Sequence, residues 1–156
     1  MRQAVIFDMD GTLADVSSIR HYVVPEPGEY RKDFEKFHEE SVNVPPIRWV
    51  AKFARVFGKR TDIDVIVVTA RKAKWRHHTA WWLALHDIPS TALFMRSNDD
   101  NRRDVEVKRD ILARIESEGW VVITAFDDNP SIIEFWKSRG IPTVTVAGWI
   151  DPHGRG

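Results

Sequence analysis

Val5-Ile6-Phe7-Asp8-Met9-Asp10-Gly11-Thr12-Leu13 is the stretch on which the reading of this chain turns. Ala4 to Phe7 form an unbroken apolar run, the pattern of a central strand covered on both faces, and the carboxylates begin where that run stops. Asp8 and Asp10 are thereby predicted at a strand's C-terminal edge, and Gly11 permits a sharp turn that lets both face one site. Paired carboxylates repel each other. A hard divalent ion such as Mg2+ takes oxygen ligands and would resolve that repulsion, leaving one acid to attack and the other to move protons.

Outward from this stretch, strands and helices alternate. After Leu13, residues 14–44 lack strong periodicity and include Pro25, Pro27 and Gly28, so they are predicted as a small flap or cap insertion. Within it Lys32 to Glu40 should make a short helix, with Phe34 and Phe37 lying over something. Pro45-Pro46 is expected to open the next helix, and Gly58 to close it. A second strand, Ile63 to Val68, leads into Thr69-Ala70-Arg71, which again puts a hydroxyl at a strand's C-terminal end. Lys72 to Leu85 reads as helix, Ala92 to Met95 as a third strand, Ser97 to Arg103 as an exposed loop and Val105 to Ile115 as helix. Trp120 to Phe126 makes a fourth strand ending in Asp127-Asp128, a helix follows from Asn129-Pro130-Ser131, and Pro142 to Val146 is a fifth strand.

That alternation predicts an α/β fold: a three-layer α/β/α, Rossmann-like parallel sheet with right-handed crossovers. Winding outward through strands two and three, then returning for four and five, gives the order 3-2-1-4-5. Asp8, Thr69, Asp127 and Asp128 then converge at the C-terminal strand ends, where open sheets bind ligands.

The 156 residues suit a single domain over 1–150 with a loose tail at 151–156. Formal net charge is zero, so global attraction to nucleic acid is not implied, although a local basic patch is compatible with it. The absence of cysteine excludes disulfides and thiolate metal sites and fits a cytoplasmic location. The apolar start is too short for a signal peptide and no apolar run reaches a membrane span, so no membrane partner is expected. Of seven tryptophans, Trp49, Trp81, Trp82 and Trp136 are expected to pack in helices. Trp75, Arg76, His77 and His78, together with Arg102 and Arg103, could frame a groove that tracks a polynucleotide; the alternative is a solvated charged surface.

Asp8-x-Asp10-Gly11-Thr12-Leu13 resembles motif I of the haloacid dehalogenase-like phosphohydrolases, with Thr69 in the place of motif II, Lys108 of motif III and Asp127-Asp128 of motif IV. The resemblance implies two-step phosphoryl transfer through an aspartyl-phosphate on Asp8, with Asp10 as acid and base, Thr69 binding the phosphoryl group and Lys108 balancing its charge. It implies Mg2+ held by Asp8, the Asp10 main-chain carbonyl and one of Asp127 and Asp128, without saying which. Receiver domains share an acid-rich parallel sheet, but their acid pair precedes the single acceptor, the reverse of the order here. A silent nucleic-acid-binding module would need a broken motif, and none is broken.

The flanks carry a narrower likeness. Thr69-Ala70-Arg71, Asp104 four residues before Lys108, Val105-x-x-Lys108-Arg109-Asp110-Ile111 and Phe126-Asp127-Asp128 are similar to the 3′-phosphatase half of phage polynucleotide kinase/phosphatases. This implies removal of 3′-phosphate from nucleic-acid ends, a repair reaction, with Arg20, Arg71 and Asp104 at the substrate. No Gly-x-x-x-x-Gly-Lys-Ser/Thr phosphate loop occurs in the sequence, so 5′-kinase activity is not expected of this chain. The alternative substrates are nucleotides or small phosphate esters.

Overall fold

The computed structural model describes residues 1–24 and 32–149. Strands β1 (Arg2–Phe7), β2 (Ile63–Lys72), β3 (Ala92–Arg96), β4 (Trp120–Asp127) and β5 (Thr143–Thr145) form one parallel sheet in the order β3-β2-β1-β4-β5, as the sequence predicts. Helices α1 (Phe34–Glu40), α2 (Arg48–Gly58), α3 (Arg76–Leu85), α4 (Asp104–Ser117) and α5 (Pro130–Ser138) connect them. Among the described residues no helix is long and apolar enough to cross a membrane.

The two-residue period of a strand explains why the apolar runs are continuous. Val5, Phe7, Val65 and Val67 fall into one core with Val50, Ala51 and Ala54 of α2 and Trp82 and Leu83 of α3. Their neighbours Ala4, Ile6, Ile66 and Val68 fall into a second core with Val107, Ile111, Leu112 and Ile115 of α4 and Ile132 and Trp136 of α5. Both faces of the central strands are therefore dry, and only their ends can carry polar chemistry. Phe7, the last residue of β1, stacks on Phe126 of β4 with ring centroids 4.4 Å apart, which locks the two strand ends that precede the acids.

Several local expectations need correction. Pro45-Pro46 does not open α2. Pro46 bridges Ala14, Asp15 N–H donates to the Pro45 carbonyl, and the helix begins after Ile47, whose N–H donates to Leu13. β2 runs beyond Val68 to Lys72, with a register shift between Thr69 and Lys72 where it pairs with β3. Consequently Lys72 is strand, Ala73–Trp75 is a 3-10 turn, and α3 starts only at Arg76. Trp82 and Trp136 are buried as expected, whereas Trp49 and Trp81 are exposed. The reason is geometric: the buried arcs are Val50, Ala51 and Ala54 of α2 and Thr79, Trp82 and Leu83 of α3, and Trp49 and Trp81 project outside them. The predicted tail at 151–156, and the part of the predicted flap at 25–31 with Pro25, Pro27 and Gly28, lie outside the described residues.

The turn after β1 depends on glycine. Gly11 has φ +81°, and a Cβ there would lie 2.1 Å from Asp128 Oδ2. Gly11→Ala is therefore expected to cost about 1–3 kcal/mol of stability and to displace Asp128. Denaturant unfolding checks this; a variant as stable as wild type would contradict the close approach.

Candidate active site

Beyond the C-terminal end of β1 the chain makes a tight loop in which the amides of Leu13 and Ala14 donate back to the Met9 carbonyl. This loop brings Asp8 beside the residues that end β4. Asp8, Asp127 and Asp128 are all buried, and each offers a carboxylate oxygen within 4.8 Å of the others. Lys108, 3% exposed, reaches in from α4 and donates to Asp8 Oδ1 at 2.8 Å and to Asp127 Oδ2 at 3.0 Å. It is not a surface lysine.

Three acids and one lysine leave two negative charges unmatched, the charge of one divalent cation, and the all-oxygen set suits a hard ion. The electrostatics agree. Burial, then the charge of Asp127, raises the Asp8 pKa well above the ordinary carboxylate value against the pull of Lys108. Burial likewise pushes Asp128 up to about 6, while its hydrogen bond with Asp8 draws it down. For Lys108, burial works against the ammonium, but Asp127 and Asp8 more than compensate and its pKa rises. The cluster is thus short of positive charge.

The two acids of the β4 end are not equivalent. Asp127 accepts from Lys108, from Trp136 Nε1 at 3.3 Å and from the Asn129 amide at 3.1 Å, so both its oxygens are engaged. Asp128, apart from the hydrogen bond it shares with Asp8, accepts from Thr12 Oγ1 at 3.2 Å, and that hydroxyl also lies 3.2 Å from Asp8 Oδ2.

The Asp10 carboxylate is not among the three clustered acids. Arg71 donates to both its oxygens, Nε to Oδ2 at 2.9 Å and Nη2 to Oδ1 at 2.5 Å, and its Nη1 donates to Thr79 of α3. Burial would raise the Asp10 pKa, but the charge and hydrogen bonds of Arg71 outweigh it and the net shift is downward. Arg71, which the resemblance places at the substrate, lines the cavity into which this site opens; it is buried, and its guanidinium donates to Asp10 and Thr79. Thr69 is buried, and its oxygen accepts from the Arg71 amide at 3.2 Å.

These residues open into a cavity of about 1300 Å3. Arg20, Asp104 and Arg102 also line it, but each has protein partners. Arg20 Nη2 donates to the Gly148 carbonyl, Asp104 accepts from Arg96, and Arg102 donates to Asp100 and Asp110. Arg76 and Arg103 are not among the lining residues. Arg76 donates to the Leu93 carbonyl on β3, and Arg103 caps α4 with its side chain 84% exposed. Of the residues that could frame a basic groove, Trp75 and Arg102 line the cavity and Arg76 and Arg103 do not, and Trp75 is buried.

Sequence reasoning passed over four residues. Thr12 was read only as a motif letter, yet it bridges two acids. Arg96 is buried and donates to the Ala70, Asp100 and Arg102 carbonyls as well as Asp104, which organises the loop after β3; an arginine at a strand's C-terminal end was the available signal. Trp136 contributes its indole N–H to Asp127, for which sequence offered no signal beyond an apolar helix position. His38 of α1 is buried against Trp75 with ring centroids 5.2 Å apart and lines the cavity.

Comparisons with known proteins agree with this arrangement. A sequence profile of the polynucleotide kinase PNKP phosphatase domain matches residues 2–148. A protein of Autographa californica nuclear polyhedrosis virus, assigned as a bifunctional polynucleotide kinase/RNA ligase, is 27% identical over 144 residues; the match covers 91% of this chain and 19% of that protein. A chain of the Pnkp1/Rnl/Hen1 RNA repair complex superposes with a TM-score of 0.77 at 22% identity, covering 94% of this chain and 42% of that one. The class C acid phosphatase from Bacillus anthracis with tungstate bound superposes with a TM-score of 0.62 at 15% identity, covering 81% of this chain and 52% of that one. The chain thus spans about a fifth of the viral relative and less than half of the repair-complex protein.

The raised pKa of Asp128 has a consequence for stability. Its folded value of about 6 exceeds the ordinary 3.8, so the folded protein holds this proton more tightly than the unfolded chain. That stabilisation is fully present below the unfolded value and is lost as pH rises through the folded one. In chelator, Asp128→Asn should flatten the fall in stability as pH rises from the ordinary carboxylate value through about 6. Urea unfolding of both proteins across that window is the measurement; parallel pH profiles would contradict it.

Proposed function

Because the chain belongs to the family of polynucleotide kinase PNKP phosphatase domains, we propose that it is a Mg2+-dependent phosphomonoesterase that removes 3′-phosphate from polynucleotide ends through an aspartyl-phosphate on Asp8. The observation that carries this reading is the position of Asp8 at the end of β1, paired with Lys108 and facing the same cavity as Asp10 and Thr69.

In the first step Asp8 attacks phosphorus in line, an oxygen–phosphorus bond forms to its carboxylate, and the bond to the leaving alcohol breaks. Asp10 gives that alcohol oxygen its proton. In the second step Asp10 takes a proton from water, the water oxygen bonds to phosphorus, and Asp8 departs as carboxylate with release of inorganic phosphate. Arg71 favours the ionised form of Asp10, which suits the base of the second step. Thr69 Oγ1 accepts from a backbone amide, so its hydroxyl hydrogen is available to donate to a phosphoryl oxygen. Lys108 offsets the charge that accumulates on Asp8 and the phosphoryl group. Asp8, the Asp10 main-chain carbonyl and Asp128 would hold Mg2+, with Asp128 chosen over Asp127 because the oxygens of Asp127 are already engaged. When bound, the ion supplies positive charge to the transferring phosphoryl group and neutralises the acids.

The polynucleotide substrate is supported by the family and by the viral relative, although the kinase and ligase activities in that protein's name belong to a protein of which this chain spans a fifth. A second reading, a phosphatase for nucleotides or small phosphate esters, is favoured by one feature of the cavity rim. Two of the cations that line it, Lys74 and Arg102, are paired with Glu35 and with Asp100 and Asp110, which leaves Lys32 and Lys72 as the lining lysines without a carboxylate partner among the described residues.

Phosphate release from a 3′-phosphorylated oligonucleotide, a nucleoside 3′-monophosphate and a small sugar phosphate separates the two. The proposal expects kcat/KM on the oligonucleotide to be higher by about tenfold or more, a difference that remote binding contacts can supply. Equal or reversed values would favour the second reading. Asp8→Asn should lower the rate on every substrate by roughly a thousandfold or more, and chelation of divalent cations should abolish it. A folded Asp8→Asn protein with near wild-type turnover would overturn the mechanism.

A further inference from the structure

The segment between β1 and α2 carries two buried nitrogens without hydrogen-bond partners, Arg20 Nε and His38 Nδ1; among the described residues no other buried side-chain nitrogen or oxygen is left so. Both side chains line the same cavity as Asp10, and both lie close enough to bias its ionisation. A desolvated polar atom with no partner is unfavourable, and in a native protein it calls for an explanation. Two of them on the Asp10 side of one cavity point to a bound group that completes both.

The two differ in what they can bind. Arg20 is a cation whose Nη2 already donates to the Gly148 carbonyl, so its free Nε suits an anionic oxygen of the ligand. His38 is 8% exposed, with its ring between Phe37 and Trp75 at centroid distances of 5.1 and 5.2 Å. Burial lowers its pKa to about 4, so at neutral pH it is an uncharged imidazole with one donor and one acceptor nitrogen. Such a ring adds little to the capture of a phosphate dianion and is suited to exchanging a hydrogen bond with a neutral hydroxyl. Nδ1 is out of reach of solvent, so a bond from it to a ligand requires the ring to turn about χ2, a torsion with two broad wells.

Position narrows the hydroxyl. Asp10 serves the leaving oxygen, so residues beside Asp10 meet the leaving alcohol, whereas Asp8, Thr69 and Lys108 meet the phosphoryl group. In a nucleoside 3′-phosphate the carbon next to the leaving oxygen carries a 2′-hydroxyl if the sugar is ribose and only hydrogen if it is deoxyribose. We propose that His38 is a specificity-determining residue that exchanges a hydrogen bond with the 2′-hydroxyl of the 3′-terminal ribose, making ribonucleotide ends the preferred substrates; this rests on the 3′-phosphatase reading above.

The test is kcat/KM on two oligonucleotides of the same sequence, one ending in ribose 3′-phosphate and one in 2′-deoxyribose 3′-phosphate. Sites built to bond a substrate hydroxyl reject the analogue that lacks it, and a single neutral bond leads us to expect wild type to favour the ribose end by about tenfold. In His38→Phe and in His38→Leu, which both remove the nitrogens, the ratio should fall towards one. His38→Asn, which restores a polar atom near the place of Nδ1, should recover part of the preference. Rapid hydrolysis of both ends at a wild-type ratio near one overturns the role of His38 alone, as does a ratio unchanged in whichever of the Phe and Leu variants folds. Failure to hydrolyse either oligonucleotide, with a small ester still turned over, overturns the polynucleotide reading and this proposal with it.

Discussion

A single buried ammonium sets the terms for everything around it. Three carboxylates gathered at two strand ends repel one another, and Lys108 is the cation that lets Asp8 and Asp127 lie side by side while buried. Removing one member of such a buried group leaves an uncompensated charge, a far larger penalty than the loss of a surface pair. The lysine comes from α4, whose other inward residues, Val107, Ile111, Leu112 and Ile115, form one of the two cores. The same helix face that closes the core thus delivers the charge, and core packing and site electrostatics depend on one element.

Around that pair the fold fixes each acid by a different device. Asp127 is held by donors alone, an indole N–H, a backbone amide and the lysine. Asp8 is held by the tight loop through Gly11 and by Thr12, whose hydroxyl sits between Asp8 and Asp128. Asp10, outside the cluster, is held by Arg71, and Arg71 is anchored in turn to Thr79 of α3. Two acids two residues apart therefore sit in opposite surroundings. Asp8 is short of positive charge and its pKa rises, while Asp10 has a guanidinium to itself and its pKa falls. The ionised form that Arg71 favours in Asp10 suits a base, whereas Asp8 needs further positive charge to stand ionised as a nucleophile.

Much of this architecture was legible because it is written in periodicity. The continuous run Ala4 to Phe7 can only be a strand dry on both faces, and the side chains of β1 do fall alternately into two cores. The convergence of Asp8, Thr69, Asp127 and Asp128 followed from strand order alone. What the sequence does not carry is the pairing between side chains: nothing in it says that Asp10 takes Arg71, or that Asp100 and Asp110 take Arg102. Trp81 read as packed because an apolar window does not say which of two adjacent tryptophans faces inward. His38 was invisible for a related reason: it lies in a segment of weak periodicity, and its meaning comes from Trp75, which reaches it only through the turn after β2.

The account stands or falls on Asp8 forming the covalent bond. A single turnover in water enriched in heavy oxygen, quenched and digested with mass analysis of the peptide bearing Asp8, reads this directly. If Asp8 attacks and is then released by water attacking phosphorus, the heavy oxygen leaves with inorganic phosphate and the Asp8 carboxylate stays unlabelled, while an acid quench during turnover catches the phosphoryl group on that peptide. Failure to trap a phosphoryl group under conditions where its formation outpaces its hydrolysis, or its appearance on a peptide that lacks Asp8, would contradict the account.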